Sequence, residues 1–279
     1  MRHRRNPNQK SHNPNQKYHD RVAAKYEQIY DDSYWQWHDA LTWDYIKRFL
    51  PTNQAVPVLD LGCGSGKWGR KLLKSGYRVT FVDLSIKMVD EARKQVEETG
   101  GADKAEFLQA DLMDLSRLPA ETFGFAVALG EPLGCTEDPG KALREVARCL
   151  APGGVLVASF DNRIACIDYY IKNGQVAELE AFLRNGRTKW LTRDETEQFQ
   201  LHTFTPDQLR KLFVSANLEP IEIIGKTVLP MRPFRELLEE SETRRRLARI
   251  EKDLASDPAN FGRCAHLQVA GKKPALPAR

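Results

Sequence analysis

Gly62, Gly64 and Gly66 follow directly on the apolar run PVLDL at 57–61, and a second run, YRVTFVD, closes on Asp83. Glycine reaches backbone conformations that other residues avoid and lets the chain approach a ligand closely. A strand, glycine loop and helix in that order therefore put a binding crevice at the strand's end. A carboxylate at the tip of the next strand can accept from both hydroxyls of a ribose. Together these residues point to a cofactor built on a nucleoside.

The loop alone leaves more than one cofactor open. Gly64, Gly66 and Gly69 satisfy G-x-G-x-x-G, so an NAD(P)-dependent oxidoreductase is an alternative reading. The fragment GSGK at 64–67 also suggests a phosphate-binding loop, but that pattern needs glycine at 61 and serine or threonine at 68. Leu61 and Trp68 stand there, which argues against ATP binding through such a loop.

The elements that must position these residues read as βαβ units. Strands fit 57–61, 77–82, 105–109, 123–129 and 154–160, and helices fit 67–75, 85–99 and 138–150. Pro152, Gly153 and Gly154 terminate the last of these helices. A helix over 205–218 starts at Thr205 and Pro206, and a strand at 219–225, a helix at 233–254 and a strand at 264–270 follow. Ahead of the sheet, helices fit 19–30 and 33–50, the second carrying Trp37, Leu41, Tyr45 and Phe49 on one stripe. Trp35, Trp37 and Trp43 fall in this region and read chiefly as packing residues.

At this level the sequence resembles the class I S-adenosylmethionine-dependent methyltransferases, over about residues 56–162. LDLGCGSG at 59–66 is similar to the family's first motif, which implies that Asp60, Gly62, Cys63, Gly64 and Gly66 lie against the methionine part of the cofactor. VDLSIKMVDEAR implies Asp83 on the ribose, with Leu84 and Met88 beside the adenosine. QADLMDL implies Asp111 on the adenine amino group and Leu112 against the ring. LGEPLG at 129–134 places Gly130 where the fourth strand opens toward the methyl group, and RCLAPGG matches the family's later turn. The leading segment AAKYEQIYDDSYWQWH resembles the capping helix of the quinone and metabolite branch, with Tyr26, Tyr30 and Trp35 closing over the cofactor.

The resemblance implies a Rossmann-like α/β fold, a seven-stranded and mostly parallel sheet with an antiparallel last strand. Residues 1–19 read as a disordered basic tail, 20–51 as an N-terminal helical cap, and 52–161 with 204–272 as the cofactor-binding domain. Residues 162–203 read as an inserted cap and substrate lid, and 273–279 as a flexible end.

The expected reaction is in-line displacement of the methyl group onto a small-molecule acceptor, where alignment does most of the work. A hydroxyl acceptor needs a proton acceptor. Glu131, Asp161 and His202 are the candidates, with Glu131 nearest the methyl position and equally suited to hold the cofactor's amino group. His202 and His38 also read as ordinary hydrogen-bonded polar residues. GEPLG lacks the Asp/Asn-Pro-Pro-aromatic segment of enzymes that methylate exocyclic base amines, and Cys135 follows Gly134 rather than the proline that precedes a 5-methylcytosine nucleophile.

Composition narrows the classes further. The net charge of +4 lies in the tail, which holds five Lys or Arg and no acid, so nucleic acid is not the expected partner. A nucleic-acid methyltransferase using that tail is the alternative reading. No apolar run reaches the roughly 20 residues of a membrane span, and no secretory signal opens the chain, so the expected location is cytoplasmic. Five scattered cysteines make neither a disulfide framework nor a zinc site, and no metal is expected.

Overall fold

The computed structural model describes residues 13–190 and 193–275. Its strands are β1 (Val58–Leu61), β2 (Val79–Asp83), β3 (Ala105–Gln109), β4 (Phe123–Ala128), β5 (Leu150–Asp161), β6 (Arg187–Trp190), β7 (Phe199–His202), β8 (Glu219–Lys226) and β9 (His266–Lys272). Seven form one sheet in the order β3-β2-β1-β4-β5-β9-β8, while β6 and β7 pair with each other as an antiparallel hairpin. Pairing is parallel from β3 through β5, and β9 runs antiparallel between β5 and β8. This is the expected Rossmann-like sheet. Its topology gathers the carboxyl ends of β1, β4, β5 and β8 on one edge, together with the start of β9.

The helices are α1 (Pro14–Val22), α2 (Tyr26–Ile29), α3 (Ser33–Lys47), α4 (Lys67–Lys74), α5 (Ile86–Thr99), α6 (Pro139–Cys149), α7 (Ile167–Lys172), α8 (Val176–Asn185), α9 (Pro206–Ser215) and α10 (Ser241–Ser256). β1 is buried at every position, as a parallel strand covered on both faces must be. One face packs Leu143 and Val146 of α6 with Leu209 and Phe213 of α9. The other packs Ile46 of α3, Leu72 of α4 and Val96 of α5. Helix starts follow from side chains that satisfy free backbone N–H groups: the Ser85 hydroxyl accepts from Met88, and Thr205 and Gln208 form a reciprocal capping box.

Five expectations are corrected. Of the tail at 1–19, residues 1–12 lie outside the described residues, but Asn13 caps α1 and Pro14 opens it. Composition misleads here because α1 is anchored by partners remote in sequence. Arg21 donates to both oxygens of the buried Glu197 at 2.7 and 2.9 Å, Lys17 reaches Asp194 at 3.1 Å, and Asn15 Nδ2 donates to the Cys135 carbonyl at 3.1 Å. The first predicted helix is divided by a 3₁₀ turn at Ala23–Lys25. The helix expected over 233–254 is likewise a 3₁₀ stretch, Arg232–Leu238, followed by α10, because Glu240 turns out of helical geometry and accepts from Glu242 and Thr243 to cap it. The APGG turn lies within β5: Phe123 pairs with Leu150 and Phe125 with Val155, so the extra residues bulge out of the ladder. At the C-terminus, Lys273 is buried and donates to the Leu150 carbonyl at 2.8 Å, which ties down the first residue of the stretch expected to be flexible. Residues 276–279 lie outside the described residues.

Gly69, the third glycine of the G-x-G-x-x-G pattern, serves packing: a Cβ there would sit 2.0 Å from Phe81 Cε1 and 2.8 Å from Asp60 Oδ2. Gly69→Ala is expected to destabilise the fold by about 1–3 kcal/mol through overpacking. Urea denaturation checks this, and an unchanged midpoint would contradict it.

Candidate active site

β1 leads into Gly62, Gly64 and Gly66 with φ of +64°, +52° and +85°, the left-handed region where a side chain is strained. Gly62 is also pressed by the loop after β4, since a Cβ there would lie 2.3 Å from Pro132 Cβ. The Gly64 N–H donates to Asp83 Oδ2 at 2.9 Å and the Ser85 N–H to Asp83 Oδ1 at 2.9 Å. One carboxylate thus ties the glycine loop to the tip of β2. Burial raises the Asp83 carboxyl above its ordinary range, opposed by His19 and by these two backbone bonds.

Two cavities open above this edge. The larger, about 520 Å³, runs from Gly62 and Gly64 past Asp83, Leu84 and Ser85 to Asp111 and Leu112, and Asn13–Gln16 of the N-terminal segment border it. The second, about 300 Å³, is walled by Tyr18, Tyr26, Tyr30, Trp35, Trp190 and Phe199. Both are lined by Gly62, Gly64, Leu129, Gly130 and Tyr26, so they meet over the ends of β1 and β4. The Tyr26 ring lies against Gly64, where a Cβ would come within 3.4 Å of Cε1. Burial holds the Tyr26 hydroxyl well above its ordinary pKa.

The floor of the smaller chamber is polar. Register places Asp161 of β5 opposite His266 of β9, and His266 opposite Lys226 of β8, so three ionisable side chains share one face of the sheet in a row. Glu131 joins them from the loop after β4, held at φ +60°, and its N–H lies 3.3 Å from the Ser159 hydroxyl. Burial alone would raise the Glu131 carboxyl, but His266, Lys226, Ser159 and His38 together hold it below its ordinary value. Burial raises Asp161 to about 7, helped by the Glu131 charge. Lys226 falls to about 8 through burial, against the pull of Glu131 and Asp39. Burial lowers His266 and takes His38 down to about 4.

Most of the residues expected at the site meet there. Gly62, Gly64, Asp83, Leu84, Asp111, Leu112 and Gly130 line the larger cavity. Cys63, Tyr30, Trp35 and Glu131 line the smaller one, and Tyr26 lines both. Four residues line neither cavity. Asp60 is buried beneath the loop and accepts from the Gly69 N–H at 2.7 Å. Gly66 starts α4, with Ala92 and Phe81 close against it. Met88 is fully buried against Val22 and Ala23 below α1. His202 sits on the far side of β7, where burial and Arg187 lower its pKa while Asp138 and Glu137 raise it. Trp37 is packed against Tyr34 and Leu238, whereas Trp35 faces the chamber.

Lys226, Arg232 and His266 were not expected at the site. His266 sits in the apolar alternation HLQVA, and only the pairing of β9 between β5 and β8 reveals its neighbours. Among the described residues no group of three or more His, Cys, Asp or Glu side chains could hold a metal ion, and no helix is long and apolar enough to cross a membrane.

Residues 58–154 match a family described as Methyltransferase domain, over the segment that builds β1 through the start of β5. The chain carries a class I S-adenosylmethionine-dependent methyltransferase domain. Among the curated relatives of this methyltransferase, the tRNA 5-carboxymethoxyuridine methyltransferase of Escherichia coli strain K12 is 28% identical over 178 residues, covering 63% of this chain and 68% of that protein. The ubiquinone biosynthesis O-methyltransferase of Dechloromonas aromatica is 28% identical over 205 residues, covering 68% and 82%. A solved S-adenosylmethionine-dependent methyltransferase from Methanosarcina mazei superposes with a TM-score of 0.59 at 22% identity, covering 83% of this chain and 98% of that one. The nicotinamide reading of the glycine loop is thereby set aside.

Asp60 provides a test of the loop's electrostatics, because burial pushes its carboxyl up to about 8. Between the unfolded carboxylate value near ~4 and that value, the folded state holds a proton that the unfolded chain has released. Stability therefore falls as pH rises through this window. Asp60→Asn keeps an acceptor for Gly69 and abolishes the titration. Its melting temperature relative to the wild type is expected to climb from pH 5 to pH 8, and a pH-independent difference would contradict the assignment.

Proposed function

We propose that this methyltransferase holds S-adenosylmethionine in the larger cavity and methylates a small molecule held in the aromatic chamber. The observation that carries the reading is the junction of the two cavities at Gly62, Gly64, Leu129 and Gly130. There, a donor group on one side faces an acceptor on the other without solvent between them.

The larger cavity suits the cofactor. The glycine loop leaves room where side chains would intrude, and the Asp83 carboxylate faces the cavity with acceptor capacity beyond its two backbone bonds. In this reading Asp83 takes the ribose hydroxyls, Asp111 the adenine amino group, Leu84 and Leu112 the ring faces, and Gly64 with Tyr26 the methionine portion. The cofactor supplies a methyl group on a sulfonium, a leaving group that needs no protonation. The chain's residues align the acceptor and exclude water, and Tyr26, Tyr30 and Trp35 form an apolar wall suited to both tasks.

A small acceptor is favoured by the size and cover of the chamber. Its volume of about 300 Å³ suits a compact ligand, and it lies between α2, the start of α3 and the β6–β7 hairpin. The insert at 162–203 then acts as a lid, carrying Trp190 and Phe199 into the wall, and the Arg21–Glu197 pair latches it to α1. An RNA acceptor is the second reading, motivated by the tRNA-modifying relative.

Asp83→Ala is expected to weaken S-adenosylmethionine binding by about 1.5–3 kcal/mol, the range for hydrogen bonds to a charged group. Titration calorimetry checks this, and unchanged affinity would remove Asp83 from the cofactor site. Labelled methyl groups from S-adenosylmethionine are expected in the small-molecule fraction of a cell extract. Labelling confined to RNA would decide for the second reading.

A further inference from the structure

We infer that His266 is the proton acceptor of the reaction and that the acceptor group is a hydroxyl on an aromatic ring, a phenol. This rests on the proposed transfer to a small molecule in the aromatic chamber.

The geometry carries the inference. His266 lines the chamber at the carboxyl edge of the sheet, in register with Asp161 on one side and Lys226 on the other. Paired residues on one face bring their Cβ atoms within about 4.5–5.5 Å, so the three side chains form a contiguous row. His266 Nε2 lies 3.8 Å from Asp161 Oδ1, while Nδ1 is fully buried with no hydrogen-bond partner among the described residues. Nδ1 has no exposed surface and so holds the ring proton, which leaves Nε2, beside Asp161, as the nitrogen open to accept.

Every titratable or charged group packed around the ring fits this role. Glu131 supplies negative potential from the loop after β4, and the Asp161 carboxyl of β5, raised to about 7, adds its charge as it ionises. Lys226 of β8 and Arg232 of the 3₁₀ stretch supply positive potential, and the His38 ring of α3 stands 6.3 Å away, centroid to centroid. Burial and the two cations keep the imidazole neutral near pH 7, able to accept, and the carboxylates stabilise the imidazolium once it forms. Lys226 lines the same chamber, 6% exposed and with no ion-pair partner within 4 Å among the described residues, so its ammonium can stabilise a developing phenolate. Tyr26, Tyr30 and Trp35 offer aromatic walls for the ring that bears the hydroxyl.

The step balances. The acceptor's O–H proton passes to Nε2 of His266, the oxygen's electron pair forms the new O–CH3 bond, and the S–CH3 bonding pair stays on sulfur as a neutral thioether. The positive charge lost from the sulfonium reappears on the imidazolium, which releases its proton to solvent before the next turnover. An acidic aromatic thiol would not need His266, because, unlike an alkyl thiol, it reaches the chamber already ionised near neutral pH.

The test uses the full chain with three probes, 4-nitrocatechol, unsubstituted catechol and 4-nitrothiophenol, and the variant His266→Gln, with Asp161→Asn as a second variant. Without cofactor, 4-nitrocatechol bound to the wild type is expected to show the phenolate absorption band at a pH at least one unit below that in free solution. His266→Gln is expected to abolish this shift. With S-adenosylmethionine, His266→Gln should slow methylation of unsubstituted catechol, whose hydroxyl stays protonated near neutral pH, at least a hundredfold while changing that of the thiol less than fivefold. Asp161→Asn should retain the alkaline plateau and move the acidic limb of the catechol's kcat/KM profile to lower pH. Equal loss on the catechol and the thiol, no loss on the catechol, or no binding of the catechol would overturn the inference. Turnover of thiols or amines but of no phenol would overturn it while leaving the small-molecule reading intact. Labelling of RNA with no small-molecule turnover would overturn that reading itself.

Discussion

The bond between the Gly64 N–H and the Asp83 carboxylate is the constraint on which the site depends. A glycine loop with three left-handed residues has many conformations open to it, and one of its backbone groups must be fixed for the cavity to keep a shape. Asp83 does this from the tip of β2 while still facing the cavity. Its second oxygen accepts from Ser85, whose hydroxyl caps α5, so one side chain ties together the loop, the strand tip and the next helix.

Around that anchor the sheet distributes two kinds of chemistry. Toward β2 and β3, Asp83, Leu84, Asp111 and Leu112 present acceptors and apolar faces suited to a nucleoside. Toward β5, β9 and β8, Asp161, His266 and Lys226 present a row of groups in which burial raises the carboxyl to about 7, lowers the ammonium to about 8 and lowers the imidazole. The antiparallel entry of β9 creates this second set, since it brings His266 to an edge otherwise built from strand carboxyl ends. The N-terminal segment and the β6–β7 hairpin then cover both cavities, joined by Arg21 on the buried Glu197.

The parallel half of the sheet was legible in the sequence because its determinants are local. Buried strands read as apolar runs, helices carry periodic apolar positions, and Asp83, Asp111 and Gly130 stand at strand ends where short motifs reach them. Met88 and Asp60 illustrate the limit, since motif position says that a residue is near the site but not which way its side chain turns. Met88 turned under α1 and Asp60 under the loop. The ordered Asn13–His19 and the His266 row were illegible for one reason. Their partners lie more than a hundred residues away, at Cys135, Glu197 and Asp161, and long-range pairing leaves no periodic trace.

The most direct measurement is a crystal structure of the protein with S-adenosylhomocysteine. The account predicts the ribose hydroxyls on Asp83, the adenine beside Asp111 and Leu112, and the sulfur at the junction by Gly62 and Gly130, facing Tyr26 and the aromatic chamber. Adenosine bound in the chamber itself, or a sulfur turned away from it, would contradict the division of the site into a donor and an acceptor cavity.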